Sequence, residues 1–330
     1  MKMAKKKKFC VVGDMIVDHY RVLEATRISP EAPVLIFGLK AEYRVPGGAG
    51  NVANNLMGLA QGGDEVVLCT IVGRDWDETV GEGFLPCRKV LVENPRRRTT
   101  VKERLVTNRQ QVARIDLQET GPQDRDLVAK LCGRALEEVR TSDAVVLSDY
   151  NHGVMSHELT EAIISEARKR GVPVVVDSKA PDTLWKYRGS TIALPTKQEI
   201  MRFEGITKAE LSMEDGELAR TVLDKMGLEA VGMTMGKDGI FLAVRNGEAT
   251  RYPALAEDPE NDVVDVTGAG DTVTATVALG MAHSLSFAET IRLANVAAGT
   301  VVLKSGVVAA SRQEVERIAR SMGIFWPKED

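Results

Sequence analysis

Short apolar runs recur along the chain, and stretches with helical spacing lie between many of them. The runs at 9–12, 65–72, 144–147, 172–176, 191–194 and 230–233 are mostly rich in Val, Ile and Leu and predict buried strands. Stretches 51–59, 127–139, 157–170 and 213–226 place apolar residues on one helical face and predict helices. Continuous apolar strands alternating with helices predict an α/β fold with a mostly parallel sheet covered on both faces. From Gly268 onward the pattern is largely helical, near 272–282, 287–303 and 312–322.

Two regions break the rhythm. Residues 33–43 and 99–115 read as longer extended strands without helices between them. From Val101 to Val106 apolar and charged residues mix as on a half-exposed sheet. These regions predict a small separate sheet, made by two insertions at about 19–45 and 96–117 in a single domain spanning 1–330. Such a sheet over the mouth of an α/β crevice would act as a lid that excludes water. Its open edges are a liability unless paired. The expected solution is a two-fold homodimer in which the lids pack together, sharing Leu35, Phe37, Val101 and Leu105.

Composition narrows the partners. The chain has 330 residues, 44% hydrophobic and 27% charged, with a net charge of -4. That balance suits a globular protein and indicates neither a nucleic-acid nor a membrane surface. The basic run 5–8 reads as a solvated tail, because Gly13 and Asp14 end the following apolar run too early for a signal peptide. Cys10, Cys69, Cys87 and Cys132 form no C-x-x-C pair and read as buried small hydrophobes in a reducing cytoplasm. The scattered histidines give no zinc spacing.

Candidate chemistry sits at glycine turns. Asp265-Val266-Thr267-Gly268-Ala269-Gly270-Asp271 opens a helix of small residues. Its bare amides make an anion site, and Asp271 at the lip either accepts a proton or merely stabilises the first turn. Gly47-Gly48-Ala49-Gly50-Asn51 precedes a helix and reads either as a close approach to a sugar or as a capped loop. Gly13-Asp14 follows the first strand, with Asp18 four residues on; a carboxylate there binds vicinal hydroxyls or makes a turn. Thr234-Met235-Gly236-Lys237-Asp238-Gly239 passes under a nucleotide or turns a hairpin between 230–233 and 240–244. Walker A, protein-kinase and G-x-G-x-x-G patterns are missing, which argues against a dinucleotide enzyme.

Together, Gly13-Asp14, Gly47-Gly48-x-x-Asn51 and Asp-x-x-Gly-Ala-Gly-Asp ending at Asp271 resemble the ribokinase-like (PfkB) carbohydrate kinases over nearly the whole chain. A narrower resemblance, to the heptose-7-phosphate kinase branch, lies in Arg27-Ile28-Ser29-Pro30-Glu31-Ala32-Pro33, Gln110-Gln111, Arg114-Ile115-Asp116 and Leu147-Ser148-Asp149-Tyr150. The tail from Val264 to Gly306 carries it too. The resemblance implies a ribokinase-like fold and phosphorylation of a sugar phosphate by ATP with Mg²⁺. The expected reaction takes D-glycero-β-D-manno-heptose 7-phosphate to the 1,7-bisphosphate on the way to lipopolysaccharide core heptose. Another acceptor sugar, or a non-catalytic phosphosugar-binding module, is the alternative.

By the same resemblance Asp271 is the general base, and Gly268, Ala269 and Gly270 form the anion hole. Asp14, Gly47, Gly48 and Asn51 bind the sugar. Thr196, Lys197, Gln198 and Glu199 stand where the family has Asn-x-x-Glu beside the phosphates, with Glu199 holding Mg²⁺ through water. Thr234, Gly236 and Gly239 line the ATP site, and Asn295 lies near the adenine. Asp265 and Ser311 match positions that hold a monovalent cation, K⁺, in some relatives. Arg27, Arg104 and Lys179 are candidates for the 7-phosphate, by charge and placement. Thr196 replaces the usual Asn, Asn108-Arg109 inverts the usual order, and Asn151-His152 replaces Gly-Lys. Some relatives carry a fused adenylyltransferase with a His-x-Gly-His motif; 1–330 lacks it and is expected to act as the kinase alone.

Overall fold

The computed structural model describes residues 6–80, 83–107, 110–179, 181–203, 205–255 and 264–326; Asn108 and Arg109 therefore lie outside the described residues. The strands are β1 (Lys8–Gly13), β2 (Met15–Ile28), β3 (Leu35–Gly48), β4 (Glu65–Gly73), β5 (Arg88–Asn94), β6 (Val101–Thr107), β7 (Gln110–Leu117), β8 (Ala144–Asp149), β9 (Val174–Ser178), β10 (Ile192–Ala193), β11 (Ala230–Thr234), β12 (Ile240–Val244) and β13 (Ala249–Tyr252). The helices are α1 (Ala49–Leu59), α2 (Trp76–Val80), α3 (Arg125–Val139), α4 (His157–Arg170), α5 (Lys197–Met201), α6 (Asp215–Met226), α7 (Ala269–Ala282), α8 (Phe287–Val302) and α9 (Arg312–Ser321).

The main sheet runs β13-β12-β11-β10-β9-β8-β1-β4-β5. It is parallel from β11 to β5, and β12 and β13 add an antiparallel edge. Alternate residues of β1 feed two cores. Phe9 and Val11 pack with α1, α7 and α8, whereas Cys10 and Val12 pack with α3, α4 and α6. A strand buried on both faces reads as a continuous apolar run, which is why its pattern was legible. Cys10 and Cys69 are fully buried. No helix among the described residues is long and apolar enough to cross a membrane.

Chain order places the crevice. After β1 the chain moves to β4 and β5 on one side, then returns to β8 on the other. The carboxyl ends of β1 and β8 therefore flank a topological switch point, where open α/β sheets bind ligands. Gly13 is packed so closely that an added Cβ would strike the Ser148 carbonyl, which brings the two strand ends together.

The second sheet has the order β3-β2-β6-β7. Region 99–115 becomes the β6–β7 antiparallel pair, and β2, which the pattern did not announce, pairs with both β3 and β6. β2 is buried from Met15 to Tyr20 and mostly exposed toward Ile28, so it shows no single alternation. Val101, expected at a contact between lids, instead packs on the main core. The exposed apolar residues of this sheet and its connecting turn include Ile28, Val34, Leu35, Leu39, Val112 and Ile115.

Candidate active site

Gly268 is the N-cap of α7, and its φ of 84° favours glycine. A Cβ there would come within 2.8 Å of Asn51 Nδ2, so the turn and α1 are in close contact. The Ala269 amide donates back to the Val266 carbonyl at 3.2 Å and closes the turn. The Ala269 amide, expected in the anion hole, is thus engaged within the turn. The amides of Gly268, Gly270 and Asp271 have no acceptor among the described residues.

Asp271 is buried, and both its oxygens are engaged. Asn51 Nδ2 donates to Oδ2 at 2.7 Å, and the Tyr150 hydroxyl donates to Oδ1 at 2.7 Å. Asn55 Nδ2 in turn holds Asn51 Oδ1 at 3.1 Å. Burial, then the charge of Asp177, pushes the Asp271 carboxyl up to about 7, against the hydrogen bonds from Tyr150 and Asn51 and the charge of Lys179. A carboxylate poised near neutrality is suited to take a proton.

Lys179 stands beside this turn: a Cβ on Gly270 would lie 3.9 Å from its Nζ. It pairs with Asp177 at 2.7 Å and with Glu199 at 3.5 Å. Burial opposes its charge, but Asp177 and Glu199 outweigh that and hold the ammonium above its usual range. Lys179 is thus a cation at the anion turn, a different place from the acceptor-phosphate role suggested by charge alone. Asp177 is buried, and its Oδ2 has no hydrogen-bond partner.

Asp14 is tied to the loop after β8. Its Oδ2 accepts from the amides of Tyr150 and His152 at 2.8 and 3.1 Å, and its Oδ1 from Val154 at 3.1 Å. With 1% exposure it anchors the loop after β8. Burial, then the charge of Asp149, pushes its carboxyl up to about 7, against those three amides. Asn151 in that loop has φ 61°, a region Asn tolerates, so its replacement of Gly preserves the turn.

Asp18 is buried as well, against Gly47 and Arg104. A Cβ on Gly47 would strike its Oδ2, and it forms a short ion pair with Arg104. Gly48, at φ 56°, caps α1 against the Asp14 carbonyl. Arg104 is therefore tied to Asp18, and Arg27 is exposed, nine residues beyond Asp18 along the extended β2, a span of about 30 Å. Lys102, opposite Asp18 in the β2–β6 register, lies with Nζ 5.6 Å from the Tyr150 ring centroid. It forms no ion pair with another described residue. Burial lowers its pKa despite the nearby Asp18 and Asp116.

On the nucleotide side, an isolated parallel bridge joins Thr196 to Thr234, so the two candidate loops are adjacent. Thr196 and Glu199 form a complete capping box for α5, with bonds of 3.1 and 2.7 Å. Thr caps as Asn does, which explains the tolerated replacement. Glu199 Oε2 is thereby engaged, and Oε1 faces Lys179. Lys197 pairs with Asp215, and Gln198 is exposed. The 234–239 stretch is the turn of the β11–β12 hairpin, with Gly236 and Gly239 at positive φ. Asn295 donates to the carbonyls of Tyr252 and Pro253 at 3.1 and 3.2 Å. Asp265 accepts from the amides of Thr267 and Gly306, and Ser311 precedes α9 without a capping bond. No group of three or more acidic, His or Cys side chains able to hold a metal occurs among the described residues.

Sequence reasoning passed over Asp177 and Lys102 and left Tyr150 without a role. Asp177 and Tyr150 lie at or just past the carboxyl ends of strands, which is the signal that could have found them.

A pfkB family carbohydrate kinase model matches residues 6–314. The chain is 35% identical over 318 residues to bifunctional protein HldE of Geotalea uraniireducens, covering 94% of this chain and 63% of that protein. It is 36% identical over 322 residues to bifunctional protein HldE of Helicobacter pylori, covering 94% and 66%. The chain thus spans about two thirds of the length of these curated relatives. Among solved structures, phosphofructokinase-2 from Escherichia coli in complex with potassium superposes with a TM-score of 0.75 at 17% identity, covering 97% of this chain and 100% of that one. Arabidopsis thaliana ribokinase complexed with ribose and ATP gives 0.69 at 20% identity, covering 95% and 99%. With its ribokinase-like fold and its buried carboxylate at a glycine turn, the chain belongs to the pfkB family of carbohydrate kinases.

Proposed function

We propose that the protein transfers the γ-phosphoryl group of ATP to the anomeric hydroxyl of D-glycero-β-D-manno-heptose 7-phosphate, giving the 1,7-bisphosphate for ADP-heptose and lipopolysaccharide core synthesis. The observation that carries the chemistry is Asp271, buried beside unengaged helix amides and Lys179. Asp271 takes the hydroxyl proton. The sugar oxygen bonds to the γ-phosphorus, the bond from phosphorus to the β–γ bridging oxygen breaks, and ADP leaves. The amides of Gly268, Gly270 and Asp271, with Lys179, receive the charge on the transferring group.

The residues fit a magnesium ion. Asp177 Oδ2 is buried without a partner, which is the state a hard cation or its water shell relieves. Asp177 and Glu199 would hold it, and Mg²⁺ supplies neutralisation of phosphate charge. The 234–239 turn takes the nucleotide. Asp18, Gly47 and Asn51 line the acceptor side, and Lys102 is the lid cation available to the acceptor's phosphate. The choice of heptose rests on the branch-specific strings at 27–33, 110–116 and 147–150.

A sugar panel tests the reading. Heptose 7-phosphate is expected to have a higher kcat/KM than unphosphorylated heptose, ribose, fructose or fructose 6-phosphate, because a cation built to meet a phosphate is left unpaired without it. A better turnover of any of the others overturns the choice of acceptor. Asp271→Asn tests the base, with an expected loss of about 10²–10⁴ in kcat. Near wild-type turnover overturns that role.

A further inference from the structure

We propose that Tyr150 is a positioning residue that keeps the acceptor's place on the base: its hydroxyl occupies the hydrogen bond on Asp271 Oδ1 that the sugar hydroxyl must take over. The inference rests on Asp271 being the base. Oδ2 is fixed by Asn51, itself held by Asn55, so Oδ1 is the oxygen left to receive a proton. Oδ1 accepts from the Tyr150 hydroxyl at 2.7 Å, a donor of the same kind as a sugar hydroxyl.

The backbone under Tyr150 is anchored, because Asp14 holds the amides of residues 150, 152 and 154. Exchange therefore requires the side chain to turn while the loop stays. The ring already borders the small sheet, with Lys102 Nζ 5.6 Å from its centroid. The charged groups around the bond are Asp177 and Lys179 from the end of β9, and Asp18 and Lys102 from the small sheet.

The arrangement has a chemical purpose. A carboxylate beside a γ-phosphoryl group would otherwise bind a water, and deprotonating that water would hydrolyse ATP. A phenol hydroxyl on Oδ1 excludes the water until a better-placed hydroxyl arrives.

The test is Tyr150→Phe, assayed with the acceptor the panel selects and with ATP alone. Acceptor entry no longer has to break a hydrogen bond to a carboxylate. Because the lost bond also lowered the Asp271 pKa, both proteins are assayed near pH 9, where the base stays ionised; there the acceptor KM should fall roughly three- to tenfold with kcat within about twofold of wild type. Sugar-independent ATP hydrolysis should rise over the same background. Any other pattern overturns the proposal: a raised KM makes Tyr150 a sugar ligand, and a reduced kcat or unchanged hydrolysis makes it a structural prop. Tyr150→Leu, which also removes the hydroxyl, gives the same reading should the phenyl ring pack badly. Failure of this pattern with Asp271→Asn inactive removes the place-holder alone, whereas an active Asp271→Asn removes the base itself.

Discussion

Lowering the pH should switch this kinase off just below neutrality. Asp271 must be ionised to accept a proton, and its burial and the charge of Asp177 push its carboxyl up to about 7. Such a group is about half ionised at pH 7, a tenth at pH 6 and a hundredth at pH 5. The kcat/KM for the acceptor should therefore lose about tenfold per unit below pH 6.5, where an ordinary carboxylate would give a flat profile down to about pH 5. Lys179 is the cation that opposes the shift. Lys179→Met should move the limb up by about one unit, the effect of an opposite charge at short range. It should also cut kcat by about 10²–10³, because a charge on the transferring phosphoryl group is lost. The assay is a coupled ADP measurement from pH 5 to 9 at subsaturating acceptor. The residual activity of Asp271→Asn should show no such limb. A wild-type profile flat to pH 5, or a limb that Lys179→Met leaves in place, would refute the assignment.

Stability should show the opposite trend. The folded state holds Asp271's proton between about pH 4 and 7, where the unfolded chain releases it, so its contribution to stability falls as pH rises through that window, by up to about 4 kcal/mol. Asp271→Asn should thus unfold at a higher temperature than wild type at pH 8, with the gap closing at pH 5; the reverse order counts against the buried charge. Gly268→Ala faces both φ 84° and a Cβ 2.8 Å from Asn51 Nδ2, so about 1–2 kcal/mol of strain and a large loss of kcat are expected, read by thermal melts and turnover. Asp14→Ala strips the acceptor from three amides, and hydrogen exchange at residues 150, 152 and 154 should accelerate; unchanged protection would remove the anchoring role. A homodimer through the small sheet predicts twice the chain mass by light scattering, and Leu35→Asp or Ile115→Asp should reduce it; a fully active monomer rules the dimer out.

The sequence by itself determined the parallel α/β sheet, because strands buried on both faces must be continuous apolar runs and β1, β4, β8, β9 and β11 are. It also determined the glycine turn before Asp271, since only glycine meets the φ at Gly268 without cost. What needed the tertiary structure was the pairing of groups distant in the chain. Asp14 and Asp18 are alike in sequence, but one is enclosed by the amides of the loop after β8 and the other meets Arg104 across β2 and β6. Lys179 reads as any basic residue until the end of β9 brings it to Asp177, Glu199 and the α7 turn. Tyr150 shows in sequence only its place just past a strand end, because the hydrogen bond that gives it a role joins residues 121 apart. Local pattern records which face of an element is apolar. It does not record which strand ends meet, and that meeting, decided by sheet order and the switch point between β1 and β8, builds the site.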